Sequence, residues 1–265
     1  MPRTVSLIGF GAIAQEVLKS LEDDETIRIN QILVRDQRVD ETQNTLGSNV
    51  EVISRIEDLA PETDFVLECA GHEAVRVFGP EVLLRGHDFG VISVGALASE
   101  ETLGMLRNAC SEGEARVSVL SGAIGGIDAI AAAGDALEYL SYTSRKPPLS
   151  WSGSPAEDTY DLSAITEETE VFSGNARDAA IGFPKNANVV ATVALAGIGF
   201  EHTKVVLIAD PNATGNTHQI TARGPLFDFN YQTSGSALPA NPKTSALTAF
   251  SAVRALRMQA PGLSI

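Results

Sequence analysis

Histidine is the side chain best suited to moving protons near neutral pH, and this chain has four histidines. His87 falls in a predicted turn and His202 in a polar loop, while His72 begins a predicted helix and could cap it. His218 follows the polar turn Asp210–Thr217 and begins a predicted strand, from which its side chain could project into a cleft. We therefore predict that His218 is the catalytic acid or base.

A second polar group lies at the start of a predicted helix, in the segment FPKNANV at residues 183–189. Pro184 precedes a long run of alanine and valine, so Lys185 and Asn186 fall at the positive end of the helix dipole. That position suits a substrate carboxylate or a carboxamide. Ordinary helix capping by an asparagine would explain the same residues.

The chain opens with an apolar strand that runs directly into a Gly-x-Gly-x-x-Ala turn at residues 9–14. In such a turn Gly9 permits the tight bend, Gly11 lets backbone approach phosphate, and Ala14 fits where helix meets strand. The helix that follows offers unpaired N–H groups and its positive dipole end to an anion. We predict that a dinucleotide pyrophosphate contacts Gly9, Gly11, Ala12 and Ile13.

The next strands predict the rest of the dinucleotide site. Asp36 follows the second strand about 20 residues after the turn, where an acidic residue usually binds the adenosine ribose hydroxyls. Arg35 beside it could instead face a 2′-phosphate, so NAD is favoured and NADP remains open. Ala70 and Gly71 end a later strand and would let backbone approach the cofactor, although a tight strand-to-helix turn explains them almost equally well.

Alternating strand and helix patterns in the first half predict an α/β fold, with a Rossmann-type, doubly wound parallel sheet. A glycine-rich hinge at 121–128 opens a helix, and short β segments follow it, which predicts a second α/β (α+β) domain with a mixed sheet. The predicted strands are 4–8, 29–34, 64–69, 91–94, 116–120, 149–152, 170–172, 203–209 and 217–222. The predicted helices are 13–22, 55–60, 73–85, 99–112, 185–199 and 244–258, and 227–239 is predicted as loop or irregular edge strand.

These patterns predict two domains. A dinucleotide-binding domain covers residues 1–121, and the C-terminal segment 241–265, with its helix, returns to it. A catalytic, substrate-binding and dimerisation domain covers residues 122–240.

Composition narrows the classes of partner. The chain has 265 residues and a net charge of −15, which argues against nucleic acid or an anionic membrane as a partner. No apolar run is long enough to span a membrane, and the N-terminus lacks a signal-peptide pattern. Two cysteines form no disulfide framework and indicate the cytoplasm. No cluster of His, Cys, Asp and Glu has metal-ligand spacing, so we predict no metal site.

Three separated segments carry a family resemblance: SGAIGGIDA at 121–129, FPKNANVVATVALAGIG at 183–199 and GNTH at 215–218. Behind the glycine turn, and in this order, they resemble the L-aspartate dehydrogenases over nearly the whole chain. The resemblance implies a homodimer that oxidises L-aspartate with NAD or NADP to iminoaspartate, reversibly, in connection with NAD biosynthesis. It also implies that His218 is catalytic and that Ala123 and Asn188 contact the cofactor.

The implied reaction transfers a hydride from Cα of aspartate to the nicotinamide, after which water adds to the imine and His218 shuttles protons. The product then yields oxaloacetate and ammonia. For the two substrate carboxylates we predict Lys185, Asn186 and the backbone of 121–128, with Lys243 or Thr244 as further donors. A related dehydrogenase or reductase for another small amino or keto acid, or a non-catalytic dinucleotide sensor, remains an alternative, and the physiological direction is open.

Overall fold

The computed structural model describes residues 2–235, 237–238 and 241–262, the side chains of 237–238 and 241–244 excepted. The first elements are β1 (Arg3–Ile8), α1 (Ala12–Ser20), β2 (Ile27–Leu33), α2 (Val39–Leu46), β3 (Glu51–Ile53), β4 (Phe65–Glu68), α3 (His72–Leu84), β5 (Asp88–Val91), α4 (Glu100–Gly113) and β6 (Val117–Val119). The next are α5 (Ile127–Ala133), β7 (Tyr139–Lys146), α6 (Ala156–Thr159), β8 (Thr169–Asn175), α7 (Ala176–Gly182), α8 (Ala187–Ala196) and β9 (Lys204–Ala209). The last are β10 (Asn216–Gly224), β11 (Phe227–Gly235), β12 (Ala237–Leu238), β13 (Asn241–Ser245) and α9 (Ala246–Arg257).

The chain divides into two compact units, one formed by residues 1–122 with 238–265 and the other by residues 123–237. In the first unit a six-stranded parallel sheet has the order β3-β2-β1-β4-β5-β6. All four residues of β4 and the last four of β1 are buried, as expected for strands covered on both faces. This sheet confirms the predicted Rossmann-type architecture.

The C-terminal helix α9 packs against α1 within the first unit. Its apolar residues Ala252 and Leu256 belong to the same hydrophobic core as Val5 and Val17. Arg257 adds an ion pair of 2.8 Å to Asp24.

The second unit contains a mixed five-stranded sheet of order β11-β10-β7-β9-β8, in which only β7 and β9 pair in parallel. Residues alternate between buried and more exposed along β7, β9 and β10, so one face of this sheet is covered and the other is open. On the covered face, Leu140 of β7 lies against Gly197 at the end of α8, close to Ile130 of α5. The mixed sheet was predicted and is confirmed.

Several local predictions are wrong. Segment 149–152 is a 3₁₀ turn (Pro148–Trp151), because two consecutive prolines fix φ and remove backbone donors. The predicted strand 91–94 is shifted, since β5 ends at Val91 and Val94–Ala98 forms another 3₁₀ turn. Segment 227–239, predicted as loop or irregular edge strand, contains the edge strand β11, which is regular and pairs along its whole length with β10. The predicted helix 55–60 is only a 3₁₀ turn, and the sequence patterns missed α2, β3, β7, α6, α7 and β13.

Candidate active site

The glycine turn of the first unit connects β1 to α1. Gly9 has a φ of +95°, and a Cβ atom built on it would lie 2.8 Å from Cβ of Ala70, so only glycine fits there. Gly11 is the N-cap of α1, with extended backbone, and a Cβ atom on it would meet nothing within 4 Å. Gly9 therefore serves internal packing, whereas the space beside Gly11 is free for a ligand.

A cavity of about 730 Å³ opens at this turn, within the size range of small-molecule sites. Predicted contacts Gly9, Gly11, Asp36 and Ala70 line it. Ala12 and Ile13 form the first turn of α1 and Gly71 is the N-cap of α3, so these three adjoin lining residues without being among them. Arg35 and Arg38 also line the cavity, which supplies positive charge for a phosphate.

A buried carboxylate, which the sequence analysis missed, organises the loops beside this cavity. Glu68 ends β4 with no exposed surface. Its Oε1 accepts hydrogen bonds from the backbone N–H groups of Ala70 and Gly71, at 2.7 and 2.6 Å, and from the hydroxyl of Ser93. Its Oε2 accepts the backbone N–H of Ser93 at 2.9 Å. Glu68 therefore fixes the loop after β4 relative to the one after β5.

In the second unit His218 lies on the covered face of the sheet, as the third residue of β10, and is only 7% exposed. Its Nδ1 is 2.7 Å from the hydroxyl of Tyr142, and the two rings stack with centroids 6.0 Å apart. Burial and, to a smaller extent, the positive charge of Lys146 together lower the pKa of His218 from 6.5 to about 4. The imidazole is therefore neutral at neutral pH, with Nε2 left for proton transfer.

Lys146 and Asn186 lie in the same buried cluster. Nζ of Lys146 donates a hydrogen bond to Oδ1 of Asn186 and lies 5.0 Å from the centre of the Trp151 ring. Burial lowers the pKa of Lys146 to about 8, with a smaller effect from the charge of Lys185. A cationic donor, a buried amide and a neutral imidazole can together bind a carboxylate and move a proton beside it.

The other predicted residues of this unit make different contacts or differ in exposure. Lys185 is exposed and its Nζ donates to the carbonyl of Ser152, while Asn188 is exposed in the first turn of α8 and Ala123 is buried. The side chains of Lys243 and Thr244 lie outside the described part of the chain. The structure thus joins His218 with Asn186 and adds two partners, Tyr142 and Lys146, that the sequence analysis did not predict.

In the described part of the chain, no group of three or more His, Cys, Asp or Glu side chains could hold a metal ion. No helix in the described ranges is long and apolar enough to cross a membrane.

A Rossmann-type sheet with an open glycine turn, in a chain that also carries a neutral buried histidine, defines a pyridine-nucleotide-dependent oxidoreductase. Family models agree, since residues 9–120 match "Homoserine dehydrogenase, NAD binding domain" and residues 128–259 match "Aspartate dehydrogenase, C-terminal". The cofactor is accordingly NAD or NADP.

Individual relatives identify the family of this chain more narrowly. An L-aspartate dehydrogenase of Ralstonia pickettii (strain 12J) is 45% identical over 265 aligned positions, which cover 98% of this chain and 99% of the relative. One from Acinetobacter baumannii is 41% identical over 264 residues, 99% and 100% of the two chains. The crystal structure of aspartate dehydrogenase from Thermotoga maritima matches with a TM-score of 0.78 at 26% identity, covering 100% of both chains. This chain belongs to the L-aspartate dehydrogenase family.

Proposed function

We propose that this protein oxidises L-aspartate to iminoaspartate with NAD or NADP, and that water converts the imine to oxaloacetate and ammonia. The observation that carries the proposal is the buried cluster of His218, Tyr142, Lys146 and Asn186 in a chain that also has a dinucleotide cavity. When bound, the cofactor accepts the hydride that leaves Cα of aspartate. A cationic lysine suits the dicarboxylate, and the neutral imidazole suits the proton transfers.

His218 acts after hydride transfer in this scheme. Its Nε2 accepts a proton from the water that attacks the imine carbon, which forms the C–O bond of a carbinolamine. The imidazolium then returns the proton to the nitrogen. The C–N bond breaks and ammonia leaves as the carbonyl forms, and Nε2 takes up the proton of the carbinolamine hydroxyl. Because Nε2 is the base, Nδ1 carries the hydrogen of the neutral ring and donates it to the hydroxyl oxygen of Tyr142, which keeps its own proton because burial raises its pKa.

The proposal is tested by following the oxidation of NADH and of NADPH by the purified protein with oxaloacetate and ammonium. Pyruvate and 2-oxoglutarate serve as alternative substrates, and omission of ammonium serves as the control for simple ketone reduction. Ammonium-dependent turnover with oxaloacetate alone is expected. Turnover with another keto acid would assign a different substrate, and tight cofactor binding without any turnover would favour a dinucleotide sensor.

We also infer a cytoplasmic homodimer. The family resemblance supports the dimer, and the two cysteines, Cys69 and Cys110, which are free thiols, support a reducing compartment.

We predict that Asp36→Ala changes cofactor preference. The carboxylate lines the cavity, where it would accept ribose hydroxyls of NAD and repel a 2′-phosphate. The KM for NADH should rise about tenfold while that for NADPH stays constant or falls, as expected for loss of hydrogen bonds to a charged group. Asp40→Ala, which removes an exposed acid in the first turn of α2, is the control. An unchanged ratio of the two KM values would contradict this role.

We predict that Tyr142→Phe lowers kcat about 3- to 10-fold, the value of one hydrogen bond, because the ring still packs but Nδ1 of His218 loses its partner. The KM for NADH should not change. Steady-state kinetics measure both values, and Tyr139→Phe, at the more exposed start of the same strand, is the matched control. Equal kcat values for the two variants would show that the contact does not orient His218.

A further inference from the structure

Lys146 ends β7 on the covered face of its sheet, and its side chain is only 7% exposed. Among the residues that the structure describes, the ammonium has one hydrogen-bond acceptor, Oδ1 of Asn186, and it lies over the ring of Trp151. Within the described residues no carboxylate pairs with it, and its titratable neighbours are His218 and Lys185. A buried ammonium without a counter-ion is unfavourable, so the folded state alone does not account for Lys146.

Among the described residues, Asn186 also lacks a hydrogen-bond partner for one of its side-chain atoms. It is 4% exposed and precedes the ten-residue helix α8. Its Oδ1 accepts the hydrogen bond from Lys146, but its Nδ2 has no partner among the described residues. Buried amide donors are normally paired, because an unpaired one retains its full desolvation penalty. The positive end of the α8 dipole lies at the same place.

We propose that Lys146 and Asn186 form the binding subsite for one carboxylate of the substrate. A carboxylate would supply both missing partners, a counter-ion for the ammonium and an acceptor for Nδ2, through charge-assisted hydrogen bonds. His218 shares the cluster, so a carboxylate held there brings the reacting carbon close to the imidazole. This inference rests on the proposed function and adds to it a residue, Lys146, that the sequence analysis did not assign.

The first test is Lys146→Met, which keeps the apolar stem and removes the charge. The KM for oxaloacetate should rise about 100-fold or more, as is usual when one partner of a buried charge pair is removed. The KM for NADH should stay constant. Binding of succinate, a dicarboxylate that cannot react, should be lost by the same factor in calorimetry without turnover. Unchanged succinate binding in the folded variant would overturn the proposal.

Variants of Lys204 and Lys185 are compared with Lys146→Met. Lys204→Met removes an equal charge at the exposed start of β9 and should leave succinate binding and both KM values unaltered. Lys185→Met tests the rival donor, which is exposed and bonded to the carbonyl of Ser152. Loss of succinate binding in Lys185→Met, with binding retained in Lys146→Met, would assign the carboxylate to Lys185 and overturn the proposal.

Asn186→Asp tests the subsite without removing the lysine. The new carboxylate has the same shape as the amide and would pair directly with Nζ of Lys146, so the variant should fold at least as well as the wild type. Because the ammonium is then neutralised and Nδ2 is gone, succinate binding should fall about 100-fold. A purely structural Lys146–Asn186 contact predicts undiminished succinate binding, and that result would contradict the subsite.

Failure of this inference can be told apart from failure of the proposed function. If the wild type shows no turnover of oxaloacetate but binds succinate in a Lys146-dependent way, the carboxylate subsite stands and the reaction is wrong. If the wild type turns over oxaloacetate and Lys146→Met leaves its KM unchanged, the reaction stands and the subsite is wrong.

Discussion

Replacing His218 by alanine is expected to lower kcat by a factor of about 10²–10⁴, the usual contribution of a general acid–base group. The imidazole is buried, held by Tyr142 at Nδ1 and neutral at neutral pH, so it is ready to accept a proton. The affinity for NADH should stay within about twofold of the wild type, because the loss falls on the chemical steps alone. Steady-state kinetics and cofactor titration measure the two values.

Two controls separate proton transfer from packing. His202→Ala removes an exposed histidine of the same unit and should leave kcat intact. His218→Gln keeps a polar side chain within reach of the Tyr142 hydroxyl but cannot act as a base at this pH. A glutamine variant with wild-type kcat would mean that His218 only fills space, and its proposed role would have to be abandoned.

The same residue should make folding stability depend on pH. Its pKa is 6.5 in an unfolded chain and about 4 in the folded protein, so between these values only the unfolded state binds the proton. Stability therefore falls as the pH decreases from 6.5 toward 4, by a total on the order of 3 kcal/mol. Urea unfolding at a series of pH values should show a shallower loss in His218→Ala, because alanine removes this proton uptake.

Local patterns were sufficient to predict the Rossmann-type architecture of the first unit and its glycine turn. The strand, the glycine turn and the helix of residues 3–20 are consecutive, and the buried residues of β1 and β4 are all apolar except Ser6 and Glu68, because both faces of their sheet are covered. The sequence left the preference between NAD and NADP open. The structure leaves it open as well, because Arg35 and Asp36 both line the cavity. Their opposite charges favour different ribose substituents.

The buried cluster around His218 could not be predicted in full, because strand pairing assembles it from distant parts of the chain. Antiparallel register places His218 opposite Ser144, and this brings in Tyr142 and Lys146 on the same face of β7. That strand was missed because two of its four inward positions, Ser144 and Lys146, are polar and interrupt the apolar alternation. The polar side chains on the inward face of β7 therefore made this strand difficult to recognise from the sequence.

Gly11→Asp is expected to separate cofactor binding from folding in the first unit. Aspartate is a favoured N-cap, and nothing lies within 4 Å of a Cβ atom at this position, so stability should rise by roughly 0.3 kcal/mol. The same carboxylate would occupy the space at the helix N-terminus and repel a pyrophosphate. NADH affinity should therefore fall about 100-fold or more, the usual effect of placing two like charges against each other at a binding site. Calorimetric titration and urea unfolding measure the two effects.

Substitutions at Gly9 and at Gly104 are the controls for Gly11→Asp. Gly9→Ala would place a Cβ atom 2.8 Å from Ala70 at a φ of +95°, and overpacking with left-handed strain should lower stability by about 2–4 kcal/mol. Gly104→Asp introduces the same charge in α4, also into open space, and should not alter NADH binding. If Gly11→Asp binds NADH as tightly as Gly104→Asp does, the pyrophosphate does not lie at the start of α1. Weak binding with intact folding in Gly11→Asp alone would instead locate the phosphates there, because charge and open space are common to both variants.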